Sequence, residues 1–195
     1  MPHDTTAWTL DTAAAQVLFA DLQPSMVARS KTNPPAALAA SVGVLAEVAG
    51  LLGLPMHFSV VTEDGDAPVL IPELAQRAGG VALLPRFSAS PFLDAATRTA
   101  LTAAGRKTLI VSGFATEVVV LHAARAAIAA GYNVLVPVDA CGGMSVRTED
   151  AAFRQIESAG GITTSVVGLV TALAPDASRS PGQEAFAALQ LLRLA

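Results

Sequence analysis

With one cysteine, Cys141, in 195 residues, the chain can form no internal disulfide and no zinc site built on cysteines. Charge is scarce too, at 14% of residues, and no dense Lys/Arg cluster occurs anywhere. A net charge of −4 provides no basic face to neutralise phosphates, which argues against a nucleic-acid partner. Aromatics reach only 5%, so the core is expected to be aliphatic and alanine-rich. The three histidines, His3, His57 and His122, form no H-x-H or D-x-H pair, and neither a metal nor a cofactor is expected. The opening MPHDTTAWTLDT lacks the basic and apolar regions of a signal peptide, and a cytoplasmic location is expected. The longest apolar stretch, 38–54, is broken by Glu47 and three glycines and reads as a buried helix rather than a membrane span. Apolar residues, by contrast, make up 52% of the chain, enough for one domain with a well-buried core. With so few charges left for the surface, a homo-oligomer, dimeric or larger, is expected.

Strand-like and helix-like runs alternate along the chain. Strands are predicted at 16–21, 56–61, 81–84, 108–112, 133–139 and 162–165. Helices are predicted at 34–52, 72–77, 91–104, 116–130, 147–159 and 166–173, with charged residues such as Glu149 and Glu157 marking a solvated face of the fifth. Such alternation implies an α/β fold, a parallel sheet with helices on both faces. Residues 1–175 read as one domain. Residues 176–195 read as a linker followed by an amphipathic helix, expected to contact another subunit. Pro137, unusual inside a central strand, is easier to place near a sheet edge. Ligands in such sheets bind beyond the carboxyl ends of the strands, which selects Asp21, the loop Thr62–Asp64, Arg86, the turn 113–119 and the stretch 139–143.

Three of these segments carry a resemblance. Phe19-Ala-Asp-Leu-Gln23 resembles a D-x-Q motif, Arg86-Phe-Ser-Ala89 a K-x-R-[YF]-S-A-F loop, and Val111-Ser-Gly-Phe-Ala-Thr-Glu-Val-Val-Val120 a G-x-x-T-[ED]-x-C-V turn. Together they are similar to the isochorismatase-like family, also called cysteine hydrolases, over about 16–173. The resemblance implies a doubly wound six-stranded sheet of order 3-2-1-4-5-6 and an Asp–Lys–Cys triad, with a cis peptide at the turn. Carried over residue by residue, Asp21 takes the acid's place and Val119 falls on the cysteine. Leu84 falls on the lysine and Arg86 on the family's second basic residue; in a shifted register Arg86 stands in for the lysine instead.

Valine cannot form an acyl-enzyme, so cysteine-dependent amide hydrolysis is excluded. Two main readings remain open. In the first, a cysteine-free hydrolase, Asp21 is a general acid and Arg86, beside Phe87, anchors a substrate carboxylate. Leu84, Ala115, Thr116 and Val118 line the pocket, and the Val118 and Val119 amides form an oxyanion hole. The family's own isochorismatases also lack the cysteine and cleave a vinyl ether. In the second, the chain is a non-catalytic small-molecule-binding or assembly protein. Chemistry rerouted through Cys141 or Thr116 is a third and weaker reading. Thr116 reads as a helix cap, His122 as a packed or interface residue and His57 as a core residue. Glu63, Asp64 and Asp66 read as a solvated loop.

Overall fold

The computed structural model describes residues 9–62 and 68–193. His3 and the acidic loop of Glu63, Asp64 and Asp66 lie outside the described residues. Six strands build the sheet: β1 (Ala15–Ala20), β2 (Met56–Val61), β3 (Leu83–Arg86), β4 (Thr108–Phe114), β5 (Asn133–Pro137) and, last in the chain, β7 (Ile162–Thr164). Their order is β3-β2-β1-β4-β5-β7, every pair parallel, as the sequence implied. A seventh, two-residue strand, β6 (Cys141–Gly142), pairs with the end of β4 and has no counterpart among the strands expected from sequence.

Every residue of β1 and β4 is buried, because both strands lie at the sheet's centre with helices above and below. Alternation then divides their side chains. Ala15, Val17 and Phe19 face one core cluster, and Leu18 and Ala20 face the other. The first cluster is covered by α2 (Pro35–Leu51), α7 (Val166–Leu173) and α8 (Gly182–Ala188). The second is covered by α4 (Ala95–Ala103), α5 (Leu121–Ala129) and α6 (Val146–Ser158). Short helices α1 (Pro24–Val27) and α3 (Pro72–Ala75) complete the first layer. Phe19 and Phe58 stack in that layer with ring centroids 5.5 Å apart, a geometry worth about 0.5–1.5 kcal/mol beyond area burial.

The structure corrects several expectations. The third strand runs two residues later than predicted, because Pro85 is tolerated inside an edge strand. Pro137, in contrast, sits in β5, which is not an edge. It is accommodated as the strand's last residue, beyond the β4–β5 ladder that ends at Leu135. The predicted helix at 116–130 opens as a π-helical turn, Thr116–Val120, before α5 begins. The inward face of the C-terminal helix, without bearing on any contact with another subunit, packs on its own chain: Ala185 and Ala188 are buried in the first core cluster, with Leu189 and Leu192 against it. No helix among the described residues is long and apolar enough to cross a membrane. α2, the longest apolar run, is instead enclosed by the first layer.

Candidate functional site

The carboxyl ends of β1, β2, β3 and β4 meet at one rim. The chain leaves β1 at Asp21, which has φ of 55° and is the one non-glycine residue with positive φ among those described. The left-handed conformation costs an L-residue roughly 1–2 kcal/mol, less for aspartate, whose short polar side chain bonds locally. Asp21 is fixed there from two sides. Its own N–H donates to the Ser59 carbonyl at 2.9 Å, and Gln23 bridges to β2 with both ends of its amide. The Gln23 side chain donates to the Val61 carbonyl and accepts from the Val61 N–H, each at 3.0 Å. The Gln of the D-x-Q motif is thus a strap that sets the angle at which the chain departs, a role the sequence alone did not assign.

Arg86, the last residue of β3, reaches back across β2 to Asp21. Its Nη2 lies 2.5 Å from Asp21 Oδ2, and its Nε donates to Ser59 Oγ at 3.0 Å. Nη1 donates to the Ser88 carbonyl. The arginine side chain is 2% exposed and the aspartate side chain 11%. All three nitrogens of the guanidinium thus bond within this chain, one of them to Asp21. The basic side chain beside Asp21 is thus that of Arg86. Leu84 lies half-buried on the same face of the strand, opposite Ser59, one ladder step short of the aspartate. Phe87, just beyond the end of β3, is 88% exposed.

Across from Asp21, β4 ends in Gly113 and Phe114, with a cis peptide between Phe114 and Ala115. Gly113 pairs with Ala20, and a Cβ there would collide with the Ala20 carbonyl oxygen, so glycine alone lets the turn approach β1 this closely. Ala115 and Val119 are buried, Val119 in the second core cluster with Leu18, Ala20 and Cys141. The Val118 N–H donates to the Ala115 carbonyl at 3.0 Å, so the oxyanion-hole role expected of that amide is taken by the turn itself. The Val118 side chain stays 44% exposed.

Thr116 is not the cap it was expected to be. It is fully buried, and its Oγ1 donates to Glu149 Oε1 at 2.7 Å. Glu149, expected on a solvated face, is itself buried, and burial is the first cause raising its carboxyl above the ordinary 4.5 of a glutamate. The helical phase held the signal: Glu149, Ala152 and Ile156 are the buried stripe of α6, so the glutamate sits on the apolar side. Glu117 reaches the other way. Its Oε1 accepts from the N–H groups of Met144 (2.9 Å) and Ser145 (3.4 Å) and from Thr148 Oγ1 (2.5 Å), at the start of α6.

The remaining candidates sit elsewhere. Cys141 is fully buried among aliphatic groups, and burial pushes its thiol far up, so it is no nucleophile. His57 lies at the opposite end of β2, its Nε2 2.8 Å from Gln16 Oε1, held neutral by burial that lowers it from the ordinary 6.5. His122 is exposed on α5. Asp139 caps α7, accepting from the Val166 N–H at 2.8 Å, with burial raising its carboxyl. Among the described residues no group of three or more His, Cys, Asp and Glu could hold a metal ion.

Comparison with known proteins places this rim in a family. Residues 16–167 match the Isochorismatase domain. The chain is 29% identical over 152 residues to the probable hydrolase YcaC of Escherichia coli, covering 77% of this chain and 73% of that one. Two solved structures resemble the whole fold. YcaC from Pseudomonas aeruginosa, determined with hexane-2,5-diol and covalent acrylamide, superposes with a TM-score of 0.85 at 26% identity, over 97% of this chain and 98% of that one. E. coli YcaC, described as an octameric hydrolase of unknown specificity, gives 0.84 at 27% identity, over 95% and 89%. The chain belongs to the isochorismatase family.

Proposed function

We propose that this isochorismatase-family chain is a hydrolase for a small molecule, working by proton transfer through Asp21 without a covalent thiol intermediate. The observation that carries the reading is the buried Asp21–Arg86 pair, held at the strand ends with the aspartate in a left-handed conformation. A buried ion pair is weak evidence for stability, since apolar residues of similar size serve as well or better. Strained backbone, likewise, concentrates at functional sites. The pair is therefore best explained by chemistry.

That chemistry needs an acid and no nucleophile. Asp21, charged beside Arg86 in the resting structure, must first take up a proton, which it then gives to the carbon of an enol ether. Water adds at the neighbouring carbon and returns a proton to the carboxylate, and the hemiketal so formed divides into a ketone and an alcohol. Arg86 acts at the moment of transfer, stabilising the carboxylate that has just lost its proton. Ala115, Val118 and Val119 form an aliphatic wall that keeps the site dry. Because Arg86 is committed to Asp21, a carboxylate on the substrate has no partner assigned within this chain. By likeness to the E. coli octamer, the chain works as a homo-oligomer; the low, net-negative charge favours a small molecule over nucleic acid as its partner, in the cytoplasm.

A second reading, a binding or assembly protein, draws on Val119: at 1% exposure it presents no reactive atom where the family's thiol would stand. Product release separates the two. Purified wild type and Asp21→Asn are assayed on isochorismate for pyruvate and on small amides for ammonia. Turnover on the enol ether that falls about 10²–10⁴-fold in Asp21→Asn supports the acid. Ammonia release, or turnover indifferent to Asp21, would sink the first reading, and silence on both classes would favour the second.

A further inference from the structure

The turn Thr116–Val120 and helix α6 are bound to each other by two carboxylates running in opposite directions. Glu149 of α6 accepts the Thr116 hydroxyl, and Glu117 of the turn accepts the first N–H groups of the α6 segment. The space around Glu149 is shaped to hold it. A Cβ on Gly143 would stand 2.8 Å from Glu149 Cβ and 3.1 Å from its Oε1, so only glycine permits this seat. Thr32, whose Oγ1 accepts from the Gly143 N–H at 2.7 Å, gives Glu149 a second hydroxyl partner. The same turn carries Val118 and Val119 and follows Ala115, at the end of β4, the strand that runs beside β1 up to Asp21.

We infer that Glu149 is a positioning residue, which locks the Thr116–Val120 turn to α6 and thereby holds the wall opposite Asp21. It touches no reacting atom in the proposed mechanism. The inference rests on that proposed site for its consequence, but the lock itself stands on the contacts of the turn and helix. Two hydroxyl donors satisfy the carboxyl, while its charged neighbours oppose ionisation: Glu117 from the turn and Asp150 from its own helix. Cys141, from β6, feels the Glu149 charge in turn. Neutral Glu149 accepts from Thr116 without repelling Glu117. Ionised Glu149 accepts more strongly from the Thr116 hydroxyl, while burial, and after it the Glu117 and Asp150 charges, oppose ionisation and raise its carboxyl.

A carboxyl raised in the folded state contributes stability that is complete below the ordinary value of 4.5 and is lost as pH rises above it. Glu149→Gln, neutral at every pH and still able to accept from Thr116, should flatten this slope.

The test is amide hydrogen exchange at Val119 and Val120, with Ala124 and Ala127 of α5 as internal controls, in wild type, Glu149→Gln and Glu149→Ala. Losing a buried acceptor should speed exchange in the turn by about tenfold in Glu149→Ala, with the α5 controls unchanged. Glu149→Gln should remain within about twofold of wild type and should show less loss of melting temperature than wild type as pH rises above 4.5. Equal exchange in all three proteins, or Glu149→Gln behaving as Glu149→Ala, would overturn the inference. So would identical pH slopes for wild type and Glu149→Gln. None of these readouts needs a substrate, so an inactive wild type would count against the proposed function and leave the role of Glu149 standing. If turnover is found, kcat/KM should fall in Glu149→Ala and recover in Glu149→Gln.

Discussion

β1 has a buried polar side chain near each end, and the two ends have been solved differently. At the amino end, Gln16 meets His57 and two backbone carbonyls, those of Leu101 at 3.3 Å and Arg106 at 2.8 Å. Every group there is neutral, and burial keeps the histidine so. At the carboxyl end, Asp21 meets Arg86 as a charged pair, in strained backbone. Neutral groups with full hydrogen bonding are what a core tolerates when only structure is at stake. A buried charge pair is harder to justify by stability, and its presence at the strand ends marks where a ligand would be met.

That contrast breaks most sharply at Arg86. Replacing it alone by Met leaves Asp21 buried without its cation and should cost about 3–5 kcal/mol, read by denaturant unfolding. The double variant Asp21→Asn/Arg86→Met should recover most of the loss, because no uncompensated charge is left. A double variant as unstable as the single would mean that the pair is structural after all. His57→Leu should cost about 1–3 kcal/mol by leaving Gln16 Oε1 without its donor, with turnover unchanged. Because burial lowers His57 from 6.5, its contribution is present above that pH and lost as pH falls below it. The His57→Leu protein should therefore lose less stability on acidification than wild type. The smallest effect is expected at Val119→Cys, a slight reduction in buried volume costing less than about 1.5 kcal/mol. Native wild type, with only buried Cys141, should resist a thiol reagent. Labelling of Val119→Cys would show that position 119 can be reached from solvent.

Much of this rim is legible in the sequence, for identifiable reasons. Asp21 stands out because an acid directly after a continuous apolar run is either a site residue or a cap for nearby backbone N–H groups, and the D-x-Q resemblance favours the site. The GFATEVVV turn stands out because its glycine and threonine interrupt such a run. The partner of Asp21 is harder to read. Placing the lysine's counterpart at Leu84 or at Arg86 turns on where β3 ends, and a strand of four residues with a proline inside gives little periodicity to fix its register. Glu149 misleads for a different reason. Its neighbours in sequence are charged, and only its helical phase with Ala152 and Ile156 places it inward. Thr116 misleads with it, since a threonine before a helix usually caps its own helix, and here the hydroxyl bonds to another.

The sequence by itself determined the parallel α/β sheet, because the spacing of apolar runs is a local property that the backbone must obey, and its motifs carried the strand order with them. It also determined that no thiol can act at the turn, because valine has none. Tertiary structure alone decided what the polar groups do. Arg86 turned inward to Asp21, Glu149 went beneath Thr116, and Cys141 was sealed in the core. Each outcome depends on residues distant in sequence, brought within hydrogen-bond reach only when the sheet closes around them.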